Sequence, residues 1–311
     1  MVTLPDLRTE DAEVRDIWHN WVFDLVNSYG IDGLRLDTAK QVRKDFWPGF
    51  HSAGNSVYMV GEVWEGDPDF VCSYQDVLPG AMNFPLYFPM YEAFVSTSGS
   101  MWNFANRLNQ MRSSCADTSL MGQFTENHDL PRFAGDQSDL ALARNLLAAN
   151  MLTDGIPIIY EGQEQHYNAP GGPNRNPFNR EAIWTSGYNL NAPLAQYVAS
   201  MNRFRKWGFS ESGADFYNYD ARAIYTDSRT VAIRKGKMIS VLTNRGSNSG
   251  SRTVRISNEL GVGPGTRMTE LLTCNVRTID NRGRLNVPMS NGAPRIYYPT
   301  DSLGGSGICN N

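Results

Sequence analysis

Three apolar runs in this chain each lead into a carboxylate. Ile31-Asp32-Gly33-Leu34-Arg35-Leu36 leads into Asp37, and Ser56-Val57-Tyr58-Met59-Val60-Gly61 into Glu62. The third, Ser119-Leu120-Met121-Gly122-Gln123-Phe124-Thr125, passes through Glu126-Asn127-His128 to Asp129. A short apolar run that stops at a polar residue reads as a buried strand giving way to loop. With a strand period of two, Arg35 and Asp37 project from one face, so the cation can hold the carboxylate ionised and oriented. The same spacing also describes a buried structural ion pair. Carboxylates of unequal environment suit cleavage of a glycosidic bond with retention, one ionised as nucleophile and one protonated for the leaving oxygen, roughly 5–5.5 Å apart. Arg35 would keep Asp37 deprotonated, and a more apolar strand end would raise the pKa of Glu62. A third carboxylate can stabilise oxocarbenium-like charge or grip sugar hydroxyls. A metal-dependent hydrolase could use the same three side chains, and the pattern alone does not choose between them.

The elements that must position these groups alternate. Residues 10–29 place Val14, Ile17, Trp18, Trp21, Val22, Leu25 and Val26 at helical spacing, which predicts an amphipathic helix feeding the first strand. A second helix over 39–52 is interrupted at Pro48, and a third over 101–112 carries Trp102, Phe104, Leu108 and Met111. An alanine- and leucine-rich helix over 138–152 precedes a fourth strand, Gly155-Ile156-Pro157-Ile158-Ile159-Tyr160. That strand ends in Glu161-Gly162-Gln163-Glu164, a Gly/Pro/Asn-rich loop runs over 168–179, and a helix covers 191–206. Repeated helix–strand units predict a parallel α/β sheet, barrel or open, whose ligand edge is the C-terminal rim of the strands. After about residue 213 the helical period gives way to short β-rich pieces at 223–225, 230–233, 238–243, 252–256 and 295–298, separated by glycine-containing turns. This predicts an antiparallel β domain, a sandwich, and a division into residues 1–212 and 213–311.

Composition narrows the partners. With 311 residues, 41% hydrophobic and 19% charged, the chain is a globular protein of one large or two ordinary domains. A net charge of −4 gives no reason to expect nucleic acid or an anionic membrane. Seven Trp and fourteen Tyr can serve as sugar platforms or as core. Met1-Val2-Thr3-Leu4-Pro5-Asp6 is neither basic nor followed by an apolar stretch, so no secretory leader is expected there. Cys72, Cys115, Cys274 and Cys309 lack a close-spaced metal signature; their even number and wide spacing lean towards two disulfides in an oxidising compartment, with three pairings open. No Asn-x-Ser/Thr sequon accompanies them, so the signals for compartment are mixed.

Gly33-Leu34-Arg35-Leu36-Asp37-Thr38-Ala39-Lys40, Gly61-Glu62-Val63-Trp64 and Phe124-Thr125-Glu126-Asn127-His128-Asp129 resemble, in order and at fitting intervals, three of the four signature segments of the α-amylase family. The resemblance, to secreted fungal α-amylases in particular, extends through Gly155-Ile156-Pro157-Ile158-Ile159-Tyr160, Gly162-Gln163-Glu164-Gln165-His166-Tyr167 and Asn179-Arg180-Glu181 to the cysteine-bearing C-terminus. It implies the C-terminal part of a (β/α)8 TIM barrel, about strands 4–8, followed by an antiparallel β-sandwich. It implies Asp37 as nucleophile, Glu62 as acid/base, Asp129 as the transition-state carboxylate and Arg35 as the nucleophile's support. Lys40, Gly66, His128 and Arg180 fall on sugar-contacting positions, although Lys40 also reads as a solvated helix charge and His128 as a structural hydrogen-bonder. Asp6 falls on a calcium ligand, the main chain of Gln41 on another, and the cysteines on the pairs Cys72–Cys115 and Cys274–Cys309.

The departures from the family pattern bear on function. The first signature segment, the first three barrel strands, the inserted calcium-binding domain and the signal peptide have no counterpart in this sequence, so an incomplete calcium site and impaired activity are expected. Gln41 replaces a histidine, and Asn176 stands where fungal α-amylases have a sugar-contacting Asp. The resemblance implies a monomeric, extracellular retaining hydrolase of α-1,4-glucans. An α-glucanotransferase shares the same trio, and a non-catalytic glucan-binding or vestigial protein is the alternative of another class.

Overall fold

The structure, a computed structural model, describes residues 6–169 and 179–310. Asn176, and the Leu4-Pro5 that precede Asp6, lie outside the described residues. Helix α1 (Ala12–Tyr29) closes at Gly30, whose φ of 60° is the left-handed conformation a residue without Cβ adopts freely. Of its predicted apolar stripe only Val22 and Val26 are buried, while Ile17 and Trp21 stay 60% and 48% exposed. Strand β1 (Gly33–Leu36) follows, then α2 (Trp47–Ala53) and β2 (Tyr58–Gly61). Pro48 does not interrupt a helix. It lies in the first turn of α2, where its missing N–H costs nothing, and short 3-10 turns precede it.

Two compact units organise the chain, residues 6–85 with Arg112–Gly122 and residues 86–111 with 123–310. In the first, β1 pairs in parallel with β2 from Gly33↔Tyr58 to Leu36↔Gly61, and β2 pairs in parallel with β3 (Gly80–Ala81), which follows α3 (Pro68–Cys72). A parallel bridge joins Met82 to Gly122. Gly80 is required by proximity, since a Cβ there would lie 2.1 Å from the Leu120 carbonyl oxygen. The expectation of a buried first strand is corrected: among the described residues no strand pairs with the outer side of β1, and only Leu36 of its four residues is buried.

The second unit begins within α4 (Phe84–Phe94) and α5 (Met101–Ser114) and continues through β4 (Gly122–Gln123) and α6 (Phe133–Asp136). Helix α7 (Leu140–Leu152) is apolar on nearly every side and nearly all buried, as an all-round hydrophobic sequence requires. Asp139 caps it by accepting the Ala141 N–H at 2.7 Å. Strand β5 (Ile156–Pro157) lies beside β4, and α8 (Pro193–Ser212) and α9 (Ala214–Asn218) lead into the β-rich segment.

That segment is built from β6 (Arg222–Asp227), β7 (Thr230–Lys235), β8 (Met238–Thr243), β9 (Ser251–Ile256), β10 (Arg267–Glu270), β11 (Val276–Thr278), β12 (Leu285–Ser290) and β13 (Arg295–Pro299). Six strands form an antiparallel sheet in the order β11-β10-β13-β8-β7-β6, and β9 pairs antiparallel with β12. Ile224, Ile239 and Val241 from the larger sheet pack with Val254, Leu285 and Val287 from the smaller, the facing layers of a sandwich. The sandwich shares its compact unit with α7 and α8, and the seam between them is polar. Buried Asn145 of α7 donates to the Gly292 carbonyl at 2.7 Å and accepts the Thr243 N–H at 2.8 Å. Asp154 accepts the Ala221 N–H on both oxygens at 3.0 Å and pairs with buried Lys235 at 2.5 Å.

Candidate active site

In the first unit Asp37 and Glu62 occupy equivalent places, each one residue beyond the last paired position of its strand. The Glu62 N–H donates to the Leu36 carbonyl at 2.8 Å, so the ladder holds the two carboxylates side by side at the strand ends. Arg35 links them: one guanidinium nitrogen pairs with Asp37 and the other lies 2.9 Å from Glu62. Asp37 is exposed, whereas Glu62 is 6% exposed. The other oxygen of Glu62 accepts the Thr38 N–H at 3.0 Å. Thr38 has a φ of 48°, a left-handed conformation that a β-branched residue adopts only when its surroundings impose it. Glu62 therefore fixes the turn that presents Asp37, a relationship the sequence pattern did not reveal.

Lys40 follows in a 3-10 turn and donates to Glu65 at 2.9 Å and to the Trp64 carbonyl at 3.2 Å. Gly66 donates its N–H to Glu65 at 2.8 Å, so Glu65 ties two of the predicted sugar contacts together. The Trp64 ring stacks on buried Phe84 with centroids 5.0 Å apart and remains 40% exposed, a geometry open to a sugar face on its other side.

The second unit gathers His128, Asp129 and Arg180. The imidazole Nε2 lies 3.0 Å from one Asp129 oxygen and an Arg180 nitrogen 2.8 Å from the other. Arg180 also donates through Nε to the His128 carbonyl at 3.0 Å. Behind them is a cluster that sequence reasoning missed. Arg132 is fully buried between Glu126 at 3.3 Å and Glu181 at 3.0 Å, with its guanidinium 4.1 Å from the Tyr160 ring centroid. Burial pushes the Glu126 carboxyl up to about 7 although the cation of Arg132 opposes the shift. The available signal was a charge inside the apolar run, Glu126, with a second, opposite charge at Arg132.

Asp6 and Gln41, the two residues on which the resemblance places metal ligands, are both exposed. Among the described residues no group of three or more His, Cys, Asp or Glu side chains is placed to hold an ion. Calcium takes 6–8 oxygen ligands, so the donor set present does not fit it. Cys72 is bonded to Cys115 and Cys274 to Cys309, with Cα atoms 4.6 Å and 5.3 Å apart. No helix among the described residues is long and apolar enough to cross a membrane.

Strand–helix units with carboxylates at the C-terminal ends of parallel strands, followed by an antiparallel sandwich, are the arrangement of an α/β domain whose ligand edge is the strands' C-terminal rim. The α-amylase catalytic-domain family model matches residues 1–202, and the model for α-amylase domain C matches 223–311. This chain belongs to the α-amylase family of glycoside hydrolases. It is 42% identical to α-amylase 2 of Schwanniomyces occidentalis, covering 99% of this chain and 60% of that protein. It is 41% identical to the α-amylase of Saccharomycopsis fibuligera, covering 96% of this chain and 58% of that protein. The solved α-amylase of Malbranchea cinnamomea superposes with a TM-score of 0.94 at 45% identity, covering 99% of this chain and 64% of that one. The chain thus spans between about half and 60% of the length of the curated relatives it matches. The structural match places it as part of a TIM barrel followed by the C-terminal β domain.

Proposed function

We propose that this chain carries the catalytic residues of a retaining α-amylase-type hydrolase acting on α-1,4-linked glucans. The observation that supports it most is Arg35 shared between Asp37 and Glu62 at the ends of adjacent parallel strands. In this reading the exposed Asp37 carboxylate attacks the anomeric carbon and the leaving oxygen takes a proton from Glu62. Glu62 then returns as base for the water that hydrolyses the glycosyl-enzyme. Arg35 orients both groups through the two steps, and Thr38 holds the turn that aims Asp37. Asp129, gripped by His128 and Arg180, is the carboxylate that stabilises positive charge at the sugar ring. Lys40, Gly66, His128 and Arg180 contact sugar hydroxyls. Calcium enters no step. The two disulfides support an extracellular setting, and we take the protein as a monomer.

The test is an assay of the protein on soluble starch and maltooligosaccharides beside Asp37→Asn. Release of reducing ends that the variant lacks, with the α-anomer formed first, supports this reading. Turnover retained in Asp37→Asn removes the nucleophile, and products longer than the donor move the reaction to glucanotransfer.

A further inference from the structure

Asn179, Arg180 and Glu181 are consecutive, and each reaches back to the same stretch, residues 126–132, about fifty positions earlier. Asn179 is 1% exposed and its amide donates to the carbonyls of His128 and Leu130, both at 2.9 Å. Arg180 takes the His128 carbonyl and Asp129. Glu181 takes the Nε of Arg132 at 3.0 Å with one oxygen and the Ala169 N–H at 2.7 Å with the other. Arg132 is the hub: its Nη1 also donates to the Glu161 carbonyl at 2.5 Å and to Glu126, which itself accepts the Phe133 N–H at 3.1 Å. Asn179 on one side is 1% exposed and Glu181 on the other is 20% exposed, whereas the Arg180 side chain between them is 47% exposed.

An exposed arginine has little packing to fix its rotamers, and ordering it costs side-chain entropy. Where its Cα is anchored therefore decides whether the guanidinium reaches Asp129. We propose that Asn179, Glu181 and Arg132 are positioning residues that clamp Arg180 onto Asp129. The clamp acts on both partners at once, because Arg132 lies three residues beyond Asp129 and Glu181 one beyond Arg180. This rests on the catalytic reading of Asp129 for its functional meaning but on the geometry alone for its truth.

The experiment uses the full chain, 15N-labelled, and follows the Arg180 side-chain Nε–Hε resonance, assigned by its loss in Arg180→Lys. The resonance is expected to be protected from water exchange in the wild type. In Glu181→Gln, an isosteric change, and separately in Asn179→Ala, its exchange should accelerate at least about tenfold while the amide spectrum of the β-sandwich stays unchanged. A resonance unmoved in either folded variant overturns the proposal. Where hydrolysis is measurable, Glu181→Gln should lower kcat/KM about tenfold in the wild-type background and have little effect in Arg180→Lys; equal losses in both backgrounds overturn it as well. A wild-type protein that cleaves no glucan sinks the catalytic reading of Asp129, and the resonance still decides the clamp.

Discussion

One nitrogen of the Arg35 guanidinium lies 2.9 Å from Glu62 while another is committed to Asp37, so a single cation spans the ends of two adjacent strands. A planar fork can do this and a point charge cannot. Arg35→Lys is therefore expected to lower kcat/KM on maltooligosaccharides by about 100-fold, the scale of removing one preorganised electrostatic contact. Near-wild-type kinetics in that variant would show that the bridge is only structural.

In the proposed reaction Glu62 is the proton donor, and in the structure it also accepts the Thr38 N–H. Glu62→Gln keeps the second and removes the first. The loss should be large for a poor leaving group such as glucose and small for a nitrophenolate, which departs without a proton. Equal losses across leaving groups would count against acid catalysis.

Burial holds the Glu126 carboxyl at about 7, above its ordinary 4.5. Between those values the folded chain binds more of a proton than the unfolded one. Stability from this group is thus complete below about pH 4.5 and is lost as pH rises through about 7. Urea unfolding should show the wild type losing stability relative to Glu126→Gln between about pH 4.5 and about 7, and levelling off above that. A difference between the two that is flat with pH would place the proton elsewhere.

Lys235 is 3% exposed and Asp154 8%, and Asp154 also receives the Ala221 N–H. Asp154→Ala leaves a buried cation and an amide without their partner, and should cost about 3–5 kcal/mol. Lys235→Met leaves Asp154 with the Ala221 N–H and should cost less. Denaturant midpoints measured on the full chain decide this, and reversal of that order would mean that the cation is satisfied by other groups such as the Tyr219 carbonyl, 3.1 Å from Lys235.

The parts legible in the sequence were those written in periodicity. Asp37 and Glu62 could be placed at strand ends because each closes an apolar run, and α7 because its thirteen residues contain neither proline nor glycine. What stayed hidden has physical reasons. Helix α4 carries Pro85 and Pro89, which read as helix breakers, yet the chain is helical from Phe84 to Phe94. Strand β12 alternates in burial from Leu285 to Ser290, but Pro288 argues against a central strand; among the described residues β12 pairs with β9 alone, and proline is tolerated at such an edge. The exposure of β1 follows from its place at a sheet edge, which no local pattern records. The Glu126–Arg132–Glu181 cluster joins side chains up to 55 positions apart in the sequence, and only the fold brings them together around the buried guanidinium.

The amide of Asn145 donates to the sandwich with one end and accepts from it with the other. Such a group works as a key with a single orientation. Sliding α7 against the sandwich by one residue would leave a donor and an acceptor unpaired in a dry interior, each at a cost of about 1–3 kcal/mol. The joint therefore behaves as a stiff mechanical coupling rather than a greased one. The helix that carries this key runs on through β5 to Glu161, whose carbonyl accepts from Arg132, so the seam and the cluster beside Asp129 share one continuous stretch of chain.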